Sequence, residues 1–278
     1  MRKLGPHTLG ARLGTGALGE VFLAASPARE LVAVKKYEPS FGRDIAFVRD
    51  LTAECKAASR LDIAGVLQMF DFGREGDQLW SAQPAVPGQA LSLWAKRARL
   101  ESVSLPPVAL AGVGARLASS LVALHDAERA DGRRGFVLGR LAMRDILVSY
   151  DGQVFLTGVG ESRARARVTI ASRRLPYCAP EVMQGREPTA RSDVFSLSAI
   201  LYELFSGTAA FRRNTPEATM EAVRRGDVSP LRPARSGVDP RLGELIMQGL
   251  LPRPEARPET LEELAARLRD VAGDDDGH

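Results

Sequence analysis

The sequence predicts an α+β protein in which a small, strand-rich N-terminal part carrying one helix precedes a larger, mainly α-helical C-terminal part. Three observations predict it. Up to residue 83, short apolar runs alternate with glycine and proline turns; beyond residue 106, apolar residues recur at steps of three and four; and Pro84-Ala-Val-Pro87-Gly88 between them reads as a hinge. The chain of 278 residues, 45% apolar and 26% charged, is long enough for a sizeable core and has ordinary globular composition, which excludes disorder, collagen and long coiled coil.

Taken in order, Leu9 to Leu13, Val21 to Leu23 and Leu31 to Val34 read as three short opening strands. Ile45, Val48, Leu51, Cys55, Ala58 and Leu61 then keep helical spacing, so one helix is expected over 44–61. Val66 to Phe72 and Gln78 to Gln83 read as two further strands divided by the turn Gly73 to Asp77. Past the hinge, Leu110, Val113, Leu117, Leu121 and Leu124 predict a long amphipathic helix behind Pro106-Pro107, since proline suits a helix start. Residues 192–206 are apolar on nearly every face, as in a helix at the centre of a domain, and Gly207 ends it. A last helix is expected near 259–272, before a frayed acidic tail at 273–278.

Cys55 and Cys178 lie far apart, and His7, His125 and His278 have no ligand spacing, so a disulfide scaffold and a zinc site are both excluded. No leader-like segment and no uninterrupted apolar run of about 18 residues is present, so the expected location is cytoplasmic, with no membrane span. The net charge of +4 comes from 33 arginines and 5 lysines scattered among acids. Without a basic, aromatic-interleaved stretch, nucleic acid is not an expected partner.

Gly14-Thr-Gly16-Ala-Leu-Gly19-Glu-Val21 has the pattern G-x-G-x-x-G-x-V and lies between two strands, which disfavours a dinucleotide fold. Its plain alternative is a hairpin turn. Val32-Ala33-Val34-Lys35 follows on the next strand and Glu54 on the next helix, the arrangement of a lysine and glutamate that position nucleotide phosphates. The plain alternative for Lys35 and Glu54 is an ion pair of little energetic worth.

With these residues the chain resembles the eukaryotic-type serine/threonine protein kinase family found in many bacteria, over residues 8–272. Ala179-Pro180-Glu181 resembles the family's A-P-E, Ser192-Asp193-Val194-Phe195-Ser196-Leu197 its central-helix start, and Arg257-Pro258 the late arginine that pairs with the A-P-E glutamate. The resemblance implies a bilobal protein-kinase-like fold, with an N-lobe at 8–83 and a C-lobe at 84–272. It also implies that Gly14, Gly16, Gly19, Val21, Ala33, Lys35, Glu54 and Leu147 line the nucleotide site.

The catalytic segments depart from the family. Asp145-Ile146-Leu147-Val148 resembles its N-I-L-V stretch, and in that register H-R-D is replaced by Leu138-Gly139-Arg140. Arg140 thus stands at the catalytic base, Ala142 at the lysine two residues on, Asp145 at the metal-binding asparagine, and Gly158, in Gly158-Val159-Gly160, at the metal-ligand aspartate. An arginine cannot accept the substrate proton, and loss of a general base alone costs roughly 10²–10⁴-fold. Glycine supplies no side-chain oxygen for magnesium. Leu138 and Val159 keep the internal apolar positions filled, so the fold is expected to persist without the chemistry.

The resemblance therefore implies a degenerate member, a pseudokinase with no catalytic residue, acting as a protein-interaction or allosteric module. The expected cofactor is at most ATP, held weakly and without a strict Mg2+ requirement. The alternative is a weakly active or atypical serine/threonine kinase using Asp145 or Glu161 as substitute metal ligand; a third, weaker idea is a metal-independent nucleotide sensor. The plainer reading makes both acids solvated surface groups. Arg163, Arg165, Arg167, Arg173 and Arg174 occupy the place of the activation loop, on the same side as Arg140 and Arg144. They read either as a solvated face or as a basic surface for a protein partner, an active kinase or an acidic or phosphorylated segment. Ser162, Thr169 and Ser172 are candidate phosphorylation sites, although Gly139 has lost the arginine that usually receives such a phosphate in the family.

Overall fold

Alternation along Leu31–Tyr37 sets the architecture of the first part. Val32 and Val34 point to one face of the strand, where Leu4, Ala24, Trp80 and Ala82 complete an apolar layer. Ala33, Lys35 and Tyr37 point to the other, on which Tyr37 packs with Phe47, Leu51 and Cys55 of the first helix. The computed structural model describes residues 2–103, 105–129, 132–231 and 238–273. The chain divides into two compact units.

The first unit comprises the described residues of Met1–Pro87, Ala127–Phe136 and Thr157–Thr169. Its antiparallel sheet has the order β1-β2-β3-β4-β6-β5, with β1 Arg2–Leu4, β2 His7–Gly16, β3 Gly19–Ala25, β4 Leu31–Tyr37, β5 Asp71–Glu75 and β6 Gln78–Pro84. Helix α1, Ile45–Ala58, starts where the Asp44 carboxylate accepts the N–H groups of Ala46 and Phe47 at 2.9 and 3.0 Å. Residues 127–136 and 157–169 belong to this unit although the sequence places them beyond residue 84.

The expected strand Val66–Phe72 begins only at Asp71. Residues 66–70 carry an apolar alternation, with Leu67 and Met69 buried, but Val66 makes an isolated bridge, the Gln68 side-chain amide donates to the Ser59 carbonyl, and Phe70 N–H bonds Ala82 O ahead of the strand. The strand pattern thus reports burial without a ladder. The turn expected from Gly73 shrinks to Gly76-Asp77, because Gly73, Arg74 and Glu75 pair with Trp80, Leu79 and Gln78. Strand β1 and a short helix at Pro39–Arg43 carry no periodicity long enough to read.

The second unit comprises the described residues of Gly88–Asp126, Val137–Leu156 and Ile170–His278. The expected hinge contracts to residues 85–87, since β6 runs through Pro84 and β7, Gly88–Ala90, follows at once. Strands β7, β8 (Ile146–Ser149) and β9 (Val154–Leu156) form a small antiparallel sheet. Among the described residues the unit has six helices of at least ten residues, α2 Leu91–Leu100, α3 Pro107–Asp126, α4 Ala190–Ser206, α5 Pro216–Arg225, α6 Pro240–Gly249 and α7 Glu262–Ala272.

Helix α3 is long and apolar enough to cross a membrane by length and composition, yet Leu110, Leu117, Leu121 and Leu124 are buried within the unit, where α3 packs on α4 and α7. Helix α4 is buried nearly all round and ends at Gly207, as its composition predicts. Helix α7 starts three residues later than its apolar spacing suggests. From residue 274 on, the acidic tail lies outside the described residues.

Candidate functional site

In the first unit the glycine motif is a closed hairpin. Gly16 pairs with Gly19 and Gly14 with Val21, leaving Ala17-Leu18 at the tip. Gly14 and Gly16 are exposed, whereas Gly19 is buried at φ +145° and a Cβ there would overlap the Lys36 carbonyl, so glycine is a steric necessity at that position alone of the three. Across the sheet, Val21 stands opposite Lys35, Lys35 opposite Ser81, and Ala33 opposite Gln83. These five residues, with Thr157, Gly158 and Glu161, line one cavity.

Glu161 dominates that cavity. It is 1% exposed and accepts four side-chain groups: Lys35 Nζ on both oxygens at 2.6 and 2.8 Å, Tyr37 Oη at 2.7 Å, and Arg165 through Nε at 3.2 Å and Nη2 at 2.9 Å. Burial alone raises a carboxyl, but the Lys35 and Arg165 cations and their hydrogen bonds bring Glu161 down to about 2. The same carboxylate, after burial itself, pushes the Tyr37 hydroxyl upward, keeping it a donor. Ser81 Oγ lies 3.1 Å from that hydroxyl.

This arrangement corrects two expectations. The carboxylate that receives Lys35 is Glu161, not Glu54. Glu54 is buried on α1 and accepts the Arg163 backbone N–H at 2.8 Å; burial raises its carboxyl, and that N–H opposes the rise without cancelling it. Glu161 and Asp145, read from the sequence as solvated acids, are both buried. The reason is local: the short helix Ser162–Ala166 places Arg165 one turn beyond Glu161, and it packs on α1 with Ala164 in the core.

Gly158 takes φ +74°, and a Cβ on it would overlap the Arg165 guanidinium and come within 3.2 Å of Glu161 Oε2. The position expected to carry a metal-binding carboxylate is thus backed by a cation. Arg167 is also engaged, with Nε 2.7 Å from Asp50 Oδ2.

In the second unit, Asp193 organises the segment that replaces H-R-D. Its oxygens accept the N–H groups of Leu138 and Gly139 at 2.9 and 2.7 Å and lie 3.0 Å from His125 Nε2. Arg140, half-buried, presents its carbonyl to Arg174 Nη1 at 2.9 Å. Arg174 also grips both Asp145 oxygens, at 2.5 and 2.7 Å, and Asp145 accepts the Ala142 N–H at 3.1 Å. Leu147, half-buried on β8, pairs with Ala90 and Phe155 within the small sheet. Glu181 and Arg257 form the expected buried pair with two hydrogen bonds, 2.8 and 2.9 Å. Against the rise that burial imposes, Arg257 and Ser192 hold the Glu181 carboxyl low.

A magnesium ion, which the fold family implies, does not fit this donor set. Gly158 brings no side-chain oxygen, both Asp145 oxygens accept hydrogen bonds from Arg174, and among the described residues no group of three His, Cys, Asp or Glu side chains could hold a metal.

Sequence reasoning missed Tyr37, Ser81, Gln83, Thr157 and Arg165 as members of the cavity or its lining contacts. Tyr37 and Ser81 were findable from strand register, since Tyr37 lies two residues beyond Lys35 on the same face. The i,i+4 spacing of Glu161 and Arg165 was the signal for their pair.

The chain matches the family described as Protein kinase domain over residues 7–267. It is 27% identical over 279 residues to serine/threonine-protein kinase PknH of Mycobacterium bovis, covering 98% of this chain and 45% of that protein. It is 24% identical over 278 residues to tyrosine-protein kinase MasK of Myxococcus xanthus, covering 96% of this chain and 43% of that protein. The chain therefore spans less than half the length of these relatives. Among solved structures it is similar in fold to the Mycobacterium tuberculosis PknI kinase domain, with a TM-score of 0.75, 22% identity and coverage of 97% and 98% of the two chains. With a small sheet unit and a helical unit, and with Lys35, Glu181, Asp193 and Arg257 in their motif contexts, the chain belongs to the protein kinase domain family.

Proposed function

We propose that this protein kinase domain is a pseudokinase: it performs no phosphotransfer and acts as a protein-interaction or allosteric module that binds ATP weakly, without a strict Mg2+ requirement. The observation that carries the reading is the Arg165 guanidinium packed against Gly158, where the metal-binding carboxylate would stand. Arg140 at the base position strengthens it, because phosphoryl transfer relies on a carboxylate for the substrate proton and on metal-held phosphates. The candidate substitute ligands, Asp145 and Glu161, are each held by arginine or lysine.

The proposal includes a protein partner, an active kinase or an acidic or phosphorylated segment, no nucleic acid, no membrane span and a cytoplasmic location. Of the five arginines considered for that partner, Arg165, Arg167 and Arg174 neutralise carboxylates of this chain, which leaves half-buried Arg163 and exposed Arg173, the latter the better placed for an outside anion. The second reading, a weakly active serine/threonine kinase, is favoured by the serine/threonine-protein kinase name of a relative such as PknH. Labelled ATP with Mg2+ or Mn2+ and generic protein substrates separates the two. Transfer equal to that of a Lys35→Met control is expected, and transfer above it refutes the pseudokinase reading.

A further inference from the structure

The first-unit cavity contains an anion already: the chain's own. Glu161 brings two oxygens to Lys35, one of them also to Tyr37, and the other to Arg165. Two permanent cations and a hydroxyl donor converging on one buried group make an anion site in the ordinary chemical sense, and the planar arginine fork and the lysine ammonium are the usual donors to carboxylate and phosphate oxygens alike. The site lies in the cavity lined by Val21, Ala33, Ser81 and Gln83. It is also coupled to the loss of the metal ligand, because the Arg165 guanidinium fills the space that any side chain at residue 158 would enter.

We infer that Lys35 and Arg165 form a metal-free subsite for the terminal phosphates of a nucleoside di- or triphosphate, that Arg165 supplies the cation a magnesium ion would otherwise supply, and that Glu161, anchored by the Tyr37 hydroxyl, is an internal competitor for the subsite. The inference rests on the weak, metal-independent nucleotide binding proposed above and identifies its cause. Phosphate oxygens enter only when the Glu161 carboxylate leaves, so the measured affinity is the intrinsic one reduced by the fraction of molecules in which it has left. A nucleoside without phosphates has no such competitor. Removing the charge of Glu161 frees Lys35 and Arg165 together.

The experiment measures binding of ADP, and of adenosine as its phosphate-free counterpart, by calorimetry, with EDTA and with Mg2+, to the wild-type chain, Glu161→Gln, and Glu161→Gln combined with Lys35→Met or with Arg165→Ala. Glu161→Gln is expected to bind ADP at least about tenfold tighter than wild type in EDTA, with adenosine unchanged, and each added substitution is expected to abolish the gain. The inference is overturned by ADP binding no tighter than wild type, by a gain that needs Mg2+, by an equal gain for adenosine, or by a gain that survives loss of Lys35 or Arg165. If Glu161→Gln lacks a cooperative melt, Tyr37→Phe takes its place, since it removes one hydrogen bond from the carboxylate and leaves every charge. It is expected to tighten ADP binding severalfold, and an unchanged affinity overturns the inference. Phosphotransfer measured on the same wild-type preparation reports on the pseudokinase reading separately, so failure of one leaves the other standing.

Discussion

Placing a side chain at residue 158 tests the coupling between the missing metal ligand and Arg165. Gly158→Ala has two costs. The backbone at φ +74° is left-handed, which costs an L-residue about 1–2 kcal/mol. The new Cβ also forces the Arg165 guanidinium away from Glu161. The arginine is flexible and its swing is cheap in itself, but it leaves hydrogen bonds of 2.9 and 3.2 Å to a buried carboxylate, and hydrogen bonds to charged groups are worth about 1.5–3 kcal/mol. The single variant should therefore lose about 2.5–5 kcal/mol, a large part of the stability of an ordinary domain.

In an Arg165→Ala background the second cost has already been incurred, so Gly158→Ala should there lose only about 1–2 kcal/mol. Urea denaturation of the wild type, both single variants and the double variant closes the cycle. A coupling below about 0.5 kcal/mol would refute the argument that one cation accounts for the glycine. Gly158→Asp follows the same geometry with an added carboxylate near Glu161, and for that reason it should destabilise the chain before it restores a metal ligand.

Two further outcomes follow from the same contacts. The Glu161 carboxyl, brought from 4.5 to about 2, contributes stability that is complete above pH 4.5 and is lost as pH falls toward 2. The wild type should thus lose about 3 kcal/mol from this group across that window, about 2 kcal/mol of it by about pH 3; denaturation at about pH 7 and about pH 3 should show that extra loss in wild type and not in Glu161→Gln, and equal losses would contradict it. For the partner surface, Arg173→Glu should weaken binding of an acidic phosphopeptide in fluorescence anisotropy, and the wild-type signal should fade as salt shortens the screening length below about 10 Å; a salt-insensitive signal unchanged by the substitution would remove Arg173 from the surface.

What the sequence could reveal depended on how local the cause was. Lys35 stands out because a strand alternation and the glycine motif fix its place, and the Glu181 and Arg257 pair follows from two motifs whose register is unambiguous. Helix α4 is equally plain, since burial on every side leaves a continuous apolar run. Glu161 is the opposite case. An acid followed by three alternating arginines looks like a solvated charged stretch, and its burial comes from Lys35 and Tyr37, whose separations of 126 and 124 residues leave no mark on local pattern. A five-residue helix is also too short for a hydrophobic period to reveal it. The pairing of Lys35 with Glu54 fails for a related reason: helical spacing puts Glu54 on α1, but only tertiary contact decides that it meets the Arg163 backbone.

The first unit is assembled from three separate stretches of chain, and the last of them brings Glu161. During synthesis, all six strands and α1 have left the ribosome well before residue 161 exists. At about 5–20 residues per second, the nascent sheet spends several seconds with Lys35 and Tyr37 facing a gap. A fragment ending at Pro87 would preserve that interval indefinitely, holding a lysine and a tyrosine toward a core that has no carboxylate to meet them and no Ala164 to close it. The sheet is therefore early in the chain but late in completion, because its closing contact waits for the stretch that carries Glu161 and Ala164.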